Sequence, residues 1–307
     1  MAKYTLKRIV TAFFTIFIAA SITFFVMKLV PGSPFASEKT NVIAEEALNE
    51  KYGLDQPVLV QYKMYLEQLL QGDLGVSYKL QKNVPVVEII KESFPVSAKL
   101  GVMAIVFAIT FGIPLGCISA LKRGKWQDSV IRVVSTLGIA VPGFVVATVS
   151  MLIFAIELKL LPTYGLNEPT AYILPVFTLG LYPMCYIARL MRSSMLDALG
   201  QDYVRTAKAK GMSQFTITFK HALKNSMIPV ITYMGPLVAY TLTGGFVVEK
   251  VFNIPGLGRY FIKSIDARDY NIIMGVTVFL AALIIIMNLI CDILYKIVDP
   301  RINYDNK

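Results

Sequence analysis

The stretch QDYVRTAKAKGMSQFTITFKHALKNSMIP, Gln201–Pro229, is polar, strongly basic and punctuated by one glycine. It is bracketed by two apolar windows, 169–188 and 225–248, neither of which holds an Asp, Glu, Lys or Arg. Four more windows, 9–27, 100–121, 133–156 and 271–291, are equally free of these residues. Each is long enough as an α-helix to cross a hydrocarbon core of about 30 Å, for which roughly 20 apolar residues suffice. Six membrane-spanning helices are therefore expected, with the basic stretch as a hydrophilic connection between the fourth and fifth. A β-barrel would instead alternate along strands of about ten residues.

The chain has 307 residues, 55% of them hydrophobic and only 16% charged, with a mean hydropathy of +0.60. Soluble domains carry nearer a quarter charged residues, so the fold class expected is an all-α polytopic membrane protein. Lys3, Lys7 and Arg8 precede the first apolar run, but that run exceeds the h-region of a signal peptide, and VPGSPFAS is a poor cleavage site. It reads as a retained helix. Cys117, Cys185 and Cys291 all fall inside expected spans, without metal-like spacing, and read as small packing residues.

The net charge of +10 is distributed as topology rather than as a nucleic-acid footprint. Alternate connections carry Lys3, Lys7 and Arg8; Lys122, Arg123, Lys125 and Arg132; seven basic residues from Arg189 to Lys224; and Lys296, Arg301 and Lys307. Lys and Arg accumulate on the cytoplasmic side, which places both termini in the cytoplasm. The link 249–270 is basic although this topology puts it outside.

The expected organisation is an N-terminal span within 1–30, an external helical region over 31–95, a five-helix core over 96–298 and a cytoplasmic tail, 299–307. The core includes the cytoplasmic loop 189–225. In the external region, Asn41 is a candidate N-cap and Gly53 a stop. A second helix opens at Asp55 and Pro57 and sets Leu59, Tyr62, Leu66, Leu69 and Leu70 on one face. VPVVEIIKESFP reads as a third short helix leading into the second span. The spans are rich in breakers: Gly112, Pro114, Gly116, Pro142, Gly143, Pro175, Gly180, Pro183, Pro229, Gly235, Pro236, Gly244 and Gly245. Such residues serve either close helix packing or a path that opens and shuts.

Within the opening stretch, Asp197–Lys210 is a good helix former and Gly211 supplies a turn. Met212, Phe215, Phe219 and Leu223 then recur at helical spacing, opposite Gln214, Thr218, His221 and Lys224, so this half is expected to rest on the spans. The half before the glycine, DYVRTAKAKG, has little apolar surface to bury in its own subunit. Ala207 and Ala209 would allow close approach to another protein. A positive loop near anionic lipid is the plainer alternative.

The pattern DYVRTAKAKG…HALKNSMIPV resembles the cytoplasmic loop of ABC-importer permeases of the oligopeptide/dipeptide/nickel branch. There the loop reads Glu-Ala-Ala, three residues, Gly and a later Leu-Pro. Here Arg205-Thr206-Ala207 occupies the triplet, Gly211 the glycine, and Leu223-Lys224 the Leu-Pro position. YGLDQPVLVQYKMYLEQLLQGDLGVSY, GGFVVEKVFNIPGLGRYFIKSIDARDY and LYKIVDPRI resemble further segments of that branch. The resemblance implies a type I ABC importer-like fold with a helical external insertion between helices 1 and 2. It also implies a multi-pass protein of a prokaryotic inner or plasma membrane. The partners implied are a second homologous permease subunit, two cytoplasmic ATPase subunits and an extracellular or periplasmic substrate-binding protein. The loop Asp202, Tyr203, Arg205, Thr206, Ala207, Lys208, Ala209, Lys210 and Gly211 would be the coupling helix that docks on an ATPase. Peptides are the implied substrate, with nickel complexes handled by similar permeases.

The residues point the same way on their own. No GxxxxGK[ST] loop is present, since RGKW at 123–126 lacks both the upstream glycine and the Ser/Thr. This chain is therefore not expected to be the ATPase itself; the resemblance implies that ATP and Mg are bound by partner subunits and that this chain holds no cofactor of its own. HExxH, GxSxG and paired-Cys motifs are absent, so no catalytic or metal residue is assigned, and His221 reads as a surface residue. A stand-alone secondary transporter would place ionisable groups at mid-membrane, and the six windows hold none. For the substrate path the candidates are Tyr240, Thr241, Thr243, Gly244 and Gly245 in the fifth span and Asn288 in the sixth, with helix packing as their plainer role. Glu249 is a candidate outer gate or binding-protein contact.

Overall fold

Apolar runs without a breaker become long helices, and prolines decide where the others bend. The computed structural model describes residues 2–29, 35, 46, 49–242 and 245–298. Among these it is helical, with one isolated antiparallel bridge between Val76 and Pro85. The first helices are α1 (Ala2–Leu29), α2 (Val58–Leu70), α3 (Val86–Leu121) and α4 (Trp126–Ala140). The next, α5, runs over Gly143–Ser150 and continues as a π-helix over Met151–Glu157; α6 is Ile173–Leu199 and α7 is Asp202–Ala209. The long α8 comprises Gln214–Thr216, a π-helix over Ile217–Ala222, and Leu223–Leu242. The last three are α9 (Phe246–Val251), α10 (Leu257–Ala267) and α11 (Tyr270–Val298).

Four stretches are long and apolar enough to cross a membrane by themselves: Val10–Leu29, Val86–Leu121, Pro169–Leu199 and Tyr270–Ile290. A fifth is the pair α4 and α5, bent by 104° at its break. Val141 there is extended, with φ −79° and ψ 124°, as a following proline favours, and Pro142 has no N–H with which to continue the ladder. The expected window 225–248 falls on Leu223–Leu242 of α8, which carries Pro229 and Pro236 inside it and is not among those five. The helix expected to lead into the second span is not separate, since Val86–Leu121 is one helix.

The chain forms two compact units, 1–96 with 256–285 and 97–255 with 286–307. In the first, Asp269 is fully buried and gathers the loop before α3. It accepts hydrogen bonds from Ser77 Oγ at 2.6 Å and from the N–H groups of Tyr78, Lys79 and Leu80 at 3.1, 2.9 and 3.1 Å. Asn271 donates to Val76 O at 2.9 Å beside it. Phe35, Tyr78, Tyr270 and Ile273 form the adjoining aromatic core. Burial pushes the Tyr78 hydroxyl up to about 12, opposed by the Asn271 hydrogen bond and reinforced by the Asp269 charge. Gly53 has φ +65° and ends a helical turn as expected, with Leu54 N–H reaching Asn49 O at 2.8 Å. Asn41 lies outside the described residues. On α2, Leu59 and Leu70 point outward, while Gln61 turns inward. Its Nε2 donates to Leu54 O and Gln56 O, and Lys28 donates to its Oε1.

In the second unit α6 is central. Met184, Cys185, Ile187, Met191 and Met195 fill its core together with Ile105, Ala108 and Cys117 of α3 and Val230 and Leu237 of α8. Two glycines set the α3–α6 distance. A Cβ at Gly112 would sit 2.8 Å from Met184 O, and one at Gly116 would sit 2.6 Å from Ala188 O. The glycines therefore serve close packing here.

Candidate functional site

Between α6 and α8 the basic stretch folds as the short helix α7 and a turn. Only two positions of α7 are inward, Val204 and Ala207, three residues apart and so on one face. Both are buried, packed with Ile217 and Met212. Ala207 thus serves the subunit's own packing, which departs from the sequence expectation that this half has little to bury. Asp202, Tyr203, Arg205, Thr206, Lys208, Ala209 and Lys210 face outward. Arg205 Nη1 lies 3.4 Å from Asp202 Oδ1, with both side chains largely exposed, so this pair adds little stability. The outer face stays cationic.

Gly211 closes the helix with φ +73°, in the left-handed region that glycine enters without a Cβ penalty. Its N–H donates to Lys208 O at 3.0 Å, and that of Met212 donates to Ala207 O at 3.2 Å. Ser213 then caps α8, accepting from the Thr216 N–H at 3.2 Å. Past the cap the inward residues are Ile217, Thr218 and Ala222. Phe215 is 72% exposed and Phe219 is 48% exposed, their rings 4.6 Å apart. Half of the expected apolar stripe is therefore turned outward, while Met212 and Leu223 stay half-buried against the core. His221 is half-buried.

The path candidates do not share one environment. Tyr240 is 76% exposed, whereas Thr241 is 2% exposed and donates to Leu237 O of its own helix at 2.7 Å. Gly245 packs on α6, where a Cβ would meet Leu179 at 2.8 Å. Asn288 is half-buried, and Thr243 and Gly244 lie outside the described residues. Glu249 is fully buried in α9 rather than presented at a surface.

Sequence reading missed a polar stripe on α6. Tyr182, Tyr186, Arg189 and Ser193 recur at four-, three- and four-residue spacing, which is one helical face. Tyr182, Arg189 and Ser193 are exposed and Tyr186 is half-buried. The Tyr186 ring packs tilted against Tyr233 of α8, centroids 4.3 Å apart, and the Arg189 guanidinium lies 5.6 Å from the Tyr186 centroid. The spacing is visible in the sequence, but Arg189 ends the apolar window 169–188, where a loop is expected. Instead α6 continues to Leu199.

Beside this stripe stands a buried ion pair. Asp128 of α4 is 1% exposed and accepts from Arg192 Nε at 2.7 Å, and its second oxygen accepts from Arg192 Nη2 at 2.9 Å. Ser119 Oγ and the Gly124 N–H complete its shell at 2.6 and 3.0 Å. One carboxylate thereby ties α3, the following turn, α4 and α6. Arg132 Nε stays 3.5 Å away. A cleft of about 630 Å³ opens here between α4 and α6, lined by Ser129, Arg132, Thr136, Arg189, Arg192 and Ser193 among others.

Comparison with known proteins agrees over the whole chain. Residues 112–304 match the family described as binding-protein-dependent transport system inner membrane component. Residues 1–101 match the N-terminal segment of such membrane components. The dipeptide transport system permease protein DppB of Bacillus subtilis is 46% identical over 308 residues, covering 100% of both chains. The oligopeptide transport system permease protein OppB of Haemophilus influenzae is 43% identical over 99% of this chain and 100% of its own. Among solved structures, the inward-facing MetNI methionine ABC transporter shares the fold at a TM-score of 0.57 and 14% identity, over 69% of this chain and 97% of that chain. An amino acid ABC transporter crystallised with histidines aligns at 0.51 and 17% identity, over 70% and 95%.

Proposed function

Because this chain belongs to the family of binding-protein-dependent transport system inner membrane components, we propose that it forms half of the translocation path of an ATP-driven importer for short peptides. The observation that carries the reading is full-length identity to dipeptide and oligopeptide permeases. The partners are a second homologous permease, two cytoplasmic ATPase subunits and an external binding protein. The basic connections support a topology with both termini and α7 in the cytoplasm.

In this reading α7 is the coupling helix. Val204 and Ala207 seat it on its own subunit, leaving Tyr203, Arg205, Lys208 and Lys210 for an acidic groove on the ATPase. Closure of the ATPases displaces α7, and the Gly211 turn passes the displacement to α8, helical from Gln214 to Leu242. The break at Pro142 and the backbone donors missing at Pro183, Pro229 and Pro236 let the spans tilt between inward- and outward-open states. The polar stripe Tyr182, Tyr186, Arg189 and Ser193, with Tyr233 and Tyr240 of α8, lines the path. Exposed polar groups on a membrane helix are costly unless they face water or protein.

The test is reconstitution with the ATPases and binding protein. Arg205→Glu/Lys208→Glu should abolish peptide uptake and substrate-stimulated ATP hydrolysis while membrane insertion stays intact. Uptake by vesicles holding this chain alone would sink the proposal.

A further inference from the structure

The cleft between α4 and α6 is lined by three guanidinium groups, the Asp128 carboxylate is buried beside it, and their pairing is unequal. Arg192 is committed to Asp128 by two short hydrogen bonds. Arg132 only approaches the same carboxylate, at 3.5 Å, and is half-exposed. Arg189 is exposed, makes no ion pair among the described residues, and is held over the Tyr186 ring at 5.6 Å. The cleft therefore keeps cationic capacity that Asp128 does not neutralise. Hydroxyl groups of Ser129, Thr136 and Ser193 line it as well. Its volume, about 630 Å³, lies in the range of small-molecule sites. Arg189 is ten residues before the end of α6 at Leu199, about 15 Å along the axis, which places the cleft toward the cytoplasmic end of the path.

We infer that this cleft is a carboxylate-recognition site, in which Arg189, supported by Arg132, binds the C-terminal carboxylate of the peptide in transit. This rests on the transport reading above and names the chemistry the path recognises. A peptide entering a low-dielectric passage loses the water around its terminal charge, a desolvation that a carboxylate tolerates only with a paired cation. Guanidinium suits this role because its planar fork matches a carboxylate and its face rests on an aromatic ring. The Asp128–Arg192 pair positions the α6 turn that carries Arg189 and leaves that charge free for the ligand.

The experiment uses the full chain in inside-out vesicles, with native cysteines replaced and Ser193→Cys as reporter. A membrane-impermeant thiol reagent is applied with or without free dialanine, and with dialanine amide in parallel. Dialanine should slow labelling and its amide should not. In Arg189→Gln the half-protecting concentration should rise about tenfold or more, the loss of one charge-assisted pair, whereas Arg189→Lys should keep part of the protection. Labelling that proceeds but is indifferent to dialanine, or is slowed equally by the amide, overturns the carboxylate site and leaves the path reading standing. A cysteine that never reacts overturns both.

Discussion

Asp269 is fully buried and accepts four hydrogen bonds, three of them from consecutive backbone N–H groups. It joins two segments almost 200 positions apart, and these are two of the stretches that carry the family resemblance, GDLGVSY and IDARDY. Asp269→Ala should destabilise the detergent-solubilised protein by about 2–4 kcal/mol, because charged acceptors are lost and donors are left buried. Thermal unfolding followed by circular dichroism would measure it, and an unchanged midpoint would show the clasp to be ornamental. Asp128 gives the corresponding test in the second unit. Arg192→Ala leaves a buried carboxylate without its main partner and should cost about 3–5 kcal/mol, whereas replacing both residues by a matched apolar pair should recover much of it. Neither carboxylate announced itself in the sequence. Asp128 lies near Lys122, Arg123, Lys125 and Arg132 and Asp269 in the basic link 249–270, and no local pattern marks either, since what gives each its role is a partner 64 or about 190 positions away.

At the scale of the element, α7 and the turn after it were legible, except that 197–199 of the expected helix belong to α6, and the face of α8 was legible only at Met212 and Leu223. Helix, glycine and helix follow from local propensity, and Gly211 has the positive φ that its position requires. The stripe Met212, Phe215, Phe219 and Leu223 was counted at a regular helical period, but a π-helix runs over Ile217–Ala222. In that turn residues five apart share a face, so Ile217 and Ala222 turn inward and Phe215 and Phe219 outward. Nothing in the local composition signals such a turn, because it is fixed by packing on α6 and α7. Ala207→Glu should unseat α7 from Ile217, since a charge enters a site 7% exposed. The expected result is lost ATPase stimulation, with proteolytic cleavage appearing near Lys208 or Lys210. Ala209→Glu, on the outer face, should weaken coupling without that cleavage. Equal behaviour of the two variants would remove the distinction between seating and docking faces.

For the whole molecule, the fold class was readable from the charge-free windows, while the span count was harder. Hydropathy treats 133–156 as one helix, yet Pro142 bends it by 104°. The window 225–248 spans the end of α8, which stays helical through Pro229 and Pro236, and a second short helix, Phe246–Val251. The proposed orientation rests on charge alone: it sets Lys122, Arg123, Lys125 and the cations from Arg189 to Lys224 on one side, and the segment before α3 on the other. A cysteine replacing Lys208 should react with an impermeant thiol reagent only in inside-out vesicles, and one replacing Lys82 only in intact cells freed of any outer barrier. The basic link 249–270 makes this more than a formality, because its own charge favours the cytoplasm, and the topology holds only if the neighbouring connections outweigh it. A cysteine at Lys263 is therefore the decisive position: external labelling means that the summed charge of the short cytoplasmic turns sets the orientation. Internal labelling at Lys263 together with Lys208 would instead require an even number of crossings between them, and the path assigned to α6 and α8 would have to be redrawn.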